Sequence, residues 1–362
     1  MVILHIACIT NNLFNGVCIA APQHALAQGE YEDVAFLNIN NEPVDSLRGS
    51  KIKQLKYSKP FQIHALPTPF DHPDLVIFHE CYRPDYLFIS KNLRKNNIPY
   101  IILPHGELGE KAQKKKKIKK IIANILLFNR FINNSLAIQC LSKTELEQTH
   151  FNAKKIIGTN GVMIPEKNKK RFSASSIKIV YVGRLDSYVK GLDLLISAAS
   201  YIKDDLLKKN AIINIYGPDL NGRYAHVQDL ILKAKMTKII KLHHEVTGSE
   251  KESIILNSDL FIQTSRFEGM PLGILEALSY GIPCIITEGT NLKNDITQAN
   301  AGWCAKNNAN EIAKTIQQAI NYTQSYRRMG LNGRKLIIQK YTWQVVSKNT
   351  LEKYKALLRG GN

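Results

Sequence analysis

Short runs of β-branched and apolar residues alternate along this chain with longer amphipathic stretches, and no other feature restricts its fold as much. Strands ordered this way, buried on both faces and joined by helical crossovers, build parallel sheets. In the first half the strand candidates are Val2 to Ile9, Val34 to Asn40, Leu75 to His79, Tyr100 to Leu103, Leu136 to Leu141 and Lys155 to Ile157. A second series covers Ile177 to Val182, Ile212 to Tyr216, Ile239 to Leu242, Leu260 to Thr264 and Cys284 to Thr287. Between the series, Met163-Ile-Pro-Glu-Lys-Asn-Lys-Lys-Arg171 is polar, proline-marked and aperiodic, as an exposed linker reads. The 362 residues suffice for about two domains. The expected organisation is an α/β domain over 1–162, a linker over 163–176, a second α/β domain over 177–340, and a C-terminal helix over 341–362 that crosses back to the first domain.

Composition removes other classes. With 44% hydrophobic and 22% charged residues the chain is neither disordered nor fibrous. No apolar run approaches the ~18 residues of a bilayer span, and the first residues lack a basic n-region and a signal cleavage site, so a cytoplasmic location is expected. The six cysteines show no C-x-x-C spacing and are expected as buried, reduced thiols. Cysteines and histidines form no ligand-spaced cluster, so no metal is expected. A net charge of +19 points to a polyanionic partner or an anionic surface.

Chemistry concentrates beyond strand ends, where open α/β sheets bind ligands. The stretch Leu260-Phe-Ile-Gln-Thr-Ser-Arg-Phe-Glu268-Gly-Met-Pro-Leu-Gly-Ile-Leu-Glu276 reads as a buried strand, a loop and a helix with Pro271 in its first turn. Glu268 then lies in the loop and Glu276 about one turn into the helix, both able to face one cleft. Gly269 and Gly273 allow a ligand close to the backbone, and the free N–H groups of the helix start suit a diphosphate. Upstream, Gly183-Arg184 through Lys190-Gly191 follows a strand, and a guanidinium and an ammonium can converge there on phosphate. In the first half, Pro104-His105-Gly106 ends a buried strand, a position at which a histidine can serve an active site.

Together these segments resemble family 4 of the retaining glycosyltransferases, whose members carry an E-x7-E motif and the GT-B fold, two Rossmann-like parallel-sheet domains facing a cleft. The resemblance implies transfer of a sugar from a nucleotide-diphosphate donor to a glycan or lipid-linked glycan, as in bacterial surface polysaccharide or lipopolysaccharide synthesis. It implies that Glu268 contacts the donor sugar's hydroxyls, Glu276 the nucleotide ribose, Arg184 and Lys190 the phosphates, and His105 the transferred sugar. Gly183, Gly217 and the loop Gly269-Met270-Pro271-Leu272 join the donor-binding residues. Gly16 is placed in the family's glycine loop near the donor phosphates, although Asn15-Gly16 stands where many relatives have a glycine pair. UDP-sugars are expected before GDP-sugars, with no cofactor.

The run Lys111 to Lys120, containing Lys114, Lys115, Lys116, Lys117, Lys119 and Lys120, precedes the apolar Ile121 to Phe128. Charge followed by apolar residues is an interfacial pattern, which predicts a peripheral position at the inner face of the plasma membrane. Interleaved aromatics and RNA-binding motifs are absent from it, so no nucleic-acid partner is expected. A nicotinamide oxidoreductase would need G-x-G-x-x-G after a strand, and the first strand is followed by Asn-Asn-Leu-Phe-Asn-Gly. A non-enzymatic α/β protein that binds polyanions or membranes through the lysines is the remaining alternative.

Overall fold

The computed structural model describes residues 1–110, 113, 124–173 and 176–360. Its strands are all parallel and form two sheets. The first holds β1 (Val2–Ala7), β2 (Asp33–Asn38), β3 (Lys53–Lys56), β4 (Leu75–His79), β5 (Tyr100–Leu103), β6 (Ala137–Cys140) and β7 (Lys155–Ile157), in the order β3-β2-β1-β4-β5-β6-β7. The second holds β8 (Lys178–Val182), β9 (Ile212–Tyr216), β10 (Ile240–His243), β11 (Leu260–Gln263), β12 (Cys284–Thr287) and β13 (Gly302–Ala305), in the order β10-β9-β8-β11-β12-β13. In each sheet the order reverses once, between β1 and β4 and between β8 and β11. Crossovers leave to opposite faces at such a point, which opens a crevice beyond the carboxyl ends of the two strands.

Two strands, β3 and β13, are absent from the sequence expectation, and both are sheet edges. An edge strand buries too little to need a continuous apolar run. In Lys53-Gln-Leu-Lys56 only Leu55 is buried. Strand β13 begins with Gly302, where a Cβ would lie 2.0 Å from the Cys284 carbonyl oxygen. The expected strands otherwise recur, trimmed by a residue or two at several ends.

The chain divides into two compact units, Met1–Asn160 with Trp343–Asn362, and Gly161–Thr342. In the first, the helix Trp343–Arg359 packs on the helix Gly16–Gly29. Trp343, Val346, Leu351 and Tyr354 form its buried face, and Lys353 Nζ donates to the Ile157 carbonyl at 2.6 Å. The segment read as a free linker is tied to the second unit over its described residues. Lys169 N donates to the Tyr280 carbonyl at 2.8 Å and Arg334 to the Pro165 carbonyl at 2.9 Å. All six cysteines are free, but Cys8, Cys18 and Cys304 are only half-buried, a correction to the uniform burial expected. Each of these three stands in or next to a strand or helix end, where neighbours cover one side.

Asp259, 1% exposed, is the anchor of that segment. It accepts from Ser173 N at 3.1 Å and Lys178 N at 3.0 Å and pairs with Lys169 at 3.3 Å. Asp259→Ala would leave a buried ammonium and two backbone donors unpaired, so we expect a loss of about 3–5 kcal/mol. At about 2–4 °C per kcal/mol, calorimetry should show the second unit melting at least ~6 °C lower. A shift within 2 °C would mean that Asp259 anchors nothing.

Candidate functional site

In the second unit, the β8/β11 reversal brings together two of the charged residues singled out in the sequence, Lys190 and Glu268. After β8 the chain turns through Gly183 and Arg184 to Lys190 and Gly191. Gly191 has φ +65°, and a Cβ there would sit 2.0 Å from the Thr264 carbonyl oxygen, so this turn must press against the end of β11. Thr264 Oγ1 donates to the Gly191 carbonyl at 2.8 Å, and Arg266 N donates to the Val189 carbonyl at 2.9 Å. The two loops are therefore stitched together.

That stitching brings Lys190 Nζ to 2.5 Å from Glu268 Oε1, with both side chains 13% exposed. The same oxygen accepts from Ser265 Oγ at 2.7 Å and Gln263 Nε2 at 3.0 Å. Asn291 Nδ2 holds the loop from its other side, donating to the carbonyls of Glu268 at 2.6 Å and Gly269 at 3.2 Å. Arg266 is neutralised by a two-pronged pair with Asp193, both contacts at 2.7 Å, and stacks on Tyr188. Arg184 differs, since its half-buried guanidinium has no ion pair or side-chain hydrogen bond among the described residues. With Lys190 balanced by Glu268 and Arg266 by Asp193, Arg184 leaves the crevice with surplus positive charge.

The helix Leu272–Ser279 opens beside this group with Pro271 as its N-cap, one residue before the first turn expected for it. A proline caps with its backbone only, and the helix start has no side-chain cap bond. Gly273 lies 3.2 Å, measured from an added Cβ, from the Phe261 ring, so a larger residue would push the helix off the strand. Gly217 backs onto Gly183, whose carbonyl oxygen would be 2.2 Å from a Cβ at 217. Glu276 is held elsewhere than Glu268, with its Oε2 at 2.5 Å from Lys251 of the helix Gly248–Leu256. Lys251, Gln263, Ser265 and Asn291 were not read from the sequence. Gln263 gave a signal, being the polar end of the apolar run Leu260-Phe-Ile.

In the first unit, His105 follows β5 at φ +50° and is partly exposed. Its Nε2 lies 3.0 Å from His79 Nδ1, and His79 Nε2 lies 2.9 Å from His5 Nδ1. Burial, aided by neighbouring His24, drives His105 down to about 3, so the ring is neutral at physiological pH. The turn is fixed from below by Glu145, which is 2% exposed and accepts from Gly106 N at 2.8 Å and Leu141 N at 2.7 Å. Glu107 ties it to β4 by accepting from Cys81 N at 2.8 Å. Gly16 opens the helix Gly16–Gly29 beyond β1, capped by Asn15, with open space around its Cα. The lysine run lies outside the described residues, apart from Gln113 within it.

Comparison with known proteins bears on the fold and on the kind of protein the chain is similar to. Residues 163–336 match the family described as Glycosyl transferases group 1. The match covers just under half of the chain and marks the second unit as similar to that family. An uncharacterized glycosyltransferase of Methanocaldococcus jannaschii is 26% identical over 49% of this chain and 44% of its own length, so the chain spans less than half of that relative. Sucrose-phosphate synthase from Thermosynechococcus elongatus superposes with a TM-score of 0.78 at 15% identity, over 99% of this chain and 100% of that one. HepE of Anabaena, solved in complex with UDP and glucose, gives 0.73 at 15% identity over 98% and 100%. These likenesses establish the fold, two Rossmann-like parallel-sheet units as in GT-B glycosyltransferases. The residues matched to that family include the loops after β8 and β11, which disfavours a non-enzymatic lysine-driven binder.

Glu145 gives this geometry a pH signature. Burial lifts its carboxyl from 4.5 to about 7, against the pull of its two backbone donors. Because the folded value is the higher one, the associated stability is complete below the unfolded value and is lost as pH rises through about 7. That amounts to about 3 kcal/mol. Urea unfolding of wild type and Glu145→Gln at pH 5 and pH 8 should show the wild-type advantage shrinking by about that amount. An advantage that grows with pH would contradict it.

Proposed function

We propose that the protein is a retaining, metal-independent glycosyltransferase of family 4 that moves a sugar from a nucleotide-diphosphate donor, UDP-linked before GDP-linked, to a hydroxyl of a glycan or lipid-linked glycan in surface polysaccharide or lipopolysaccharide synthesis. One observation carries the reading: the loop after β8 that holds the unpaired Arg184 also holds Lys190, which pairs with Glu268 in the loop after β11, before a helix start without a side-chain cap. The second unit then binds the donor and the first the acceptor. Arg184, Lys190 and the N–H groups of Leu272 and its neighbours stabilise the diphosphate as it leaves with the electrons of the broken C–O bond. Gly183, Gly217, Gly269, Met270 and Pro271 let it approach the backbone, and Gly16 is the donor-binding residue that this reading assigns to the first unit. Glu268 binds sugar hydroxyls, Glu276 the ribose, and His105 the transferred sugar. The acceptor oxygen forms the new bond and its proton is released. HepE, a neighbour in fold, binds UDP and glucose, which supports the choice of donor.

Among the described residues no helix is long and apolar enough to cross a membrane. For a lipid-linked acceptor, attachment to the inner leaflet falls to Lys114, Lys115, Lys116, Lys117, Lys119 and Lys120. Replacing these six by glutamine should abolish sedimentation with anionic vesicles at ~0.1 M salt, each lysine being worth about 1 kcal/mol. Unchanged sedimentation would remove the membrane role.

The central test is a thermal-shift screen of UDP, GDP and ADP, in which a ligand at 100 times its Kd stabilises by about 2.7 kcal/mol. Arg184→Ala should lower turnover by about 30- to 1000-fold, the equivalent of ~2–4 kcal/mol in the transition state. Wild-type turnover in that variant, or no shift with any nucleotide, would refute the assignment.

A further inference from the structure

Inside the first unit a row of polar side chains runs from the C-terminal helix to the ligand-facing turn at His105. It begins at Gln139, whose Nε2 donates to the Gly158 carbonyl at 2.9 Å and whose Oε1 must therefore accept from the Tyr354 hydroxyl. Tyr354 has thus spent its only proton, and its oxygen can only accept. Gln28, 1% exposed, turns its amide nitrogen to that oxygen, although no well-formed bond closes there, and burial pushes the phenol up so that it keeps its proton. The carbonyl end of Gln28 faces His5, with Oε1 3.1 Å from His5 Nε2.

A neutral imidazole has one donor and one acceptor nitrogen, so each contact sets the next. Gln28 Oε1 accepts from His5 Nε2–H, which leaves His5 Nδ1 to accept. His79 then donates to it from Nε2 and accepts at Nδ1. His105 in turn donates from Nε2, and its Nδ1 is left bare. That nitrogen has no hydrogen-bond partner among the described residues. Neutrality holds along the row because burial lowers His5 to about 3 and His79 well below its ordinary value. The titratable group beside the row is His24, from the helix Gly16–Gly29, itself lowered to about 4 and bonded to Asn160 Oδ1 at 3.1 Å. Its ring centroid is 6.0 Å from His79 and 6.4 Å from His105.

We propose that this row locks His105 in the tautomer with a bare Nδ1, so that the group it recognises must be a hydrogen-bond donor, a sugar hydroxyl, and that Gln28, His5 and His79 are positioning residues for it. The proposal rests on the reading of His105 as a sugar contact. Reversal of the row would set the Gln28 carbonyl against a tyrosine oxygen with no proton to give.

The full chain, labelled with 15N-histidine and compared with His105→Ala to assign the signal, decides it. His105 should show a bare Nδ1 and a protonated Nε2, unchanged from pH 8 to pH 6. Gln28→Met and the milder Tyr354→Phe should each bring in the second tautomer. With UDP-glucose as the probe, hydrolysis by Gln28→Met should fall about 10- to 100-fold, the loss of one oriented hydrogen bond, while the thermal shift from UDP stays unchanged. A proton on Nδ1 or an imidazolium at pH 7 in the wild type overturns the row, and equal turnover with a mixed tautomer overturns its positioning role. The expected tautomer in a protein that neither binds UDP nor turns over any nucleotide sugar would instead overturn the functional reading and leave the row standing. If Gln28→Met fails to fold, the wild-type and Tyr354→Phe spectra still decide the tautomer.

Discussion

The second unit's crevice depends on one contact, the ion pair of Lys190 with Glu268. It joins the loop after β8 to the loop after β11, the two strands between which the sheet reverses direction. Glu268 Oε1 takes three donors at once, an ammonium, an amide and a hydroxyl. A carboxylate so restrained is pre-oriented, and a ligand that binds there meets a fixed group instead of ordering a mobile one. The pair exists only because Gly191 lets the first loop touch the Thr264 carbonyl, so a glycine with positive φ supports the charge chemistry beside it.

Charge balance decides what such a crevice attracts. Two of its cations are matched by carboxylates, and Arg184 is not. A planar guanidinium without a partner in a half-buried loop is costly to hold and favours an anion of matching geometry. The uncapped start of the helix Leu272–Ser279 adds oriented N–H groups of the same sign. On the proposed reading, a diphosphate would meet two independent sources of positive potential, a side chain and a backbone dipole.

What the sequence disclosed follows from what periodicity measures. Central strands such as Leu75–His79 and Cys284–Thr287 are buried along their length and appear as apolar runs. Edges such as Lys53–Lys56 bury one residue in four and leave no such trace. Glu268 and Glu276 stand out by their spacing around a strand, loop and helix, and Arg184 and Lys190 by their place after a strand. Lys251 was out of reach because it meets Glu276 only through the packing of two helices. His5 and His79 did leave a signal, polar residues inside the buried runs Val2–Ala7 and Leu75–His79, yet nothing in the sequence says that strand pairing stacks them. Glu145, buried under the His105 turn, resembles any helix glutamate until the fold is known.

The two units repeat one topology with opposite chemistry at the reversal. Beyond β8 and β11 stand cations whose charge survives because acids and solvent share it. Within β1 and at the ends of β4 and β5 stand histidines that burial keeps uncharged. Were His105 an imidazolium, it would attract an anion. Neutral, it offers only a lone pair and has nothing to gain from an anion. On the proposed reading, burial of the histidine row gives the first unit a fixed acceptor for a hydroxyl, while the second unit holds the fixed charge. The cost of burying three imidazoles in one unit is then a cost of specificity, and it is met by hydrogen bonds that run without a gap from His105 to His5 and on to Gln28.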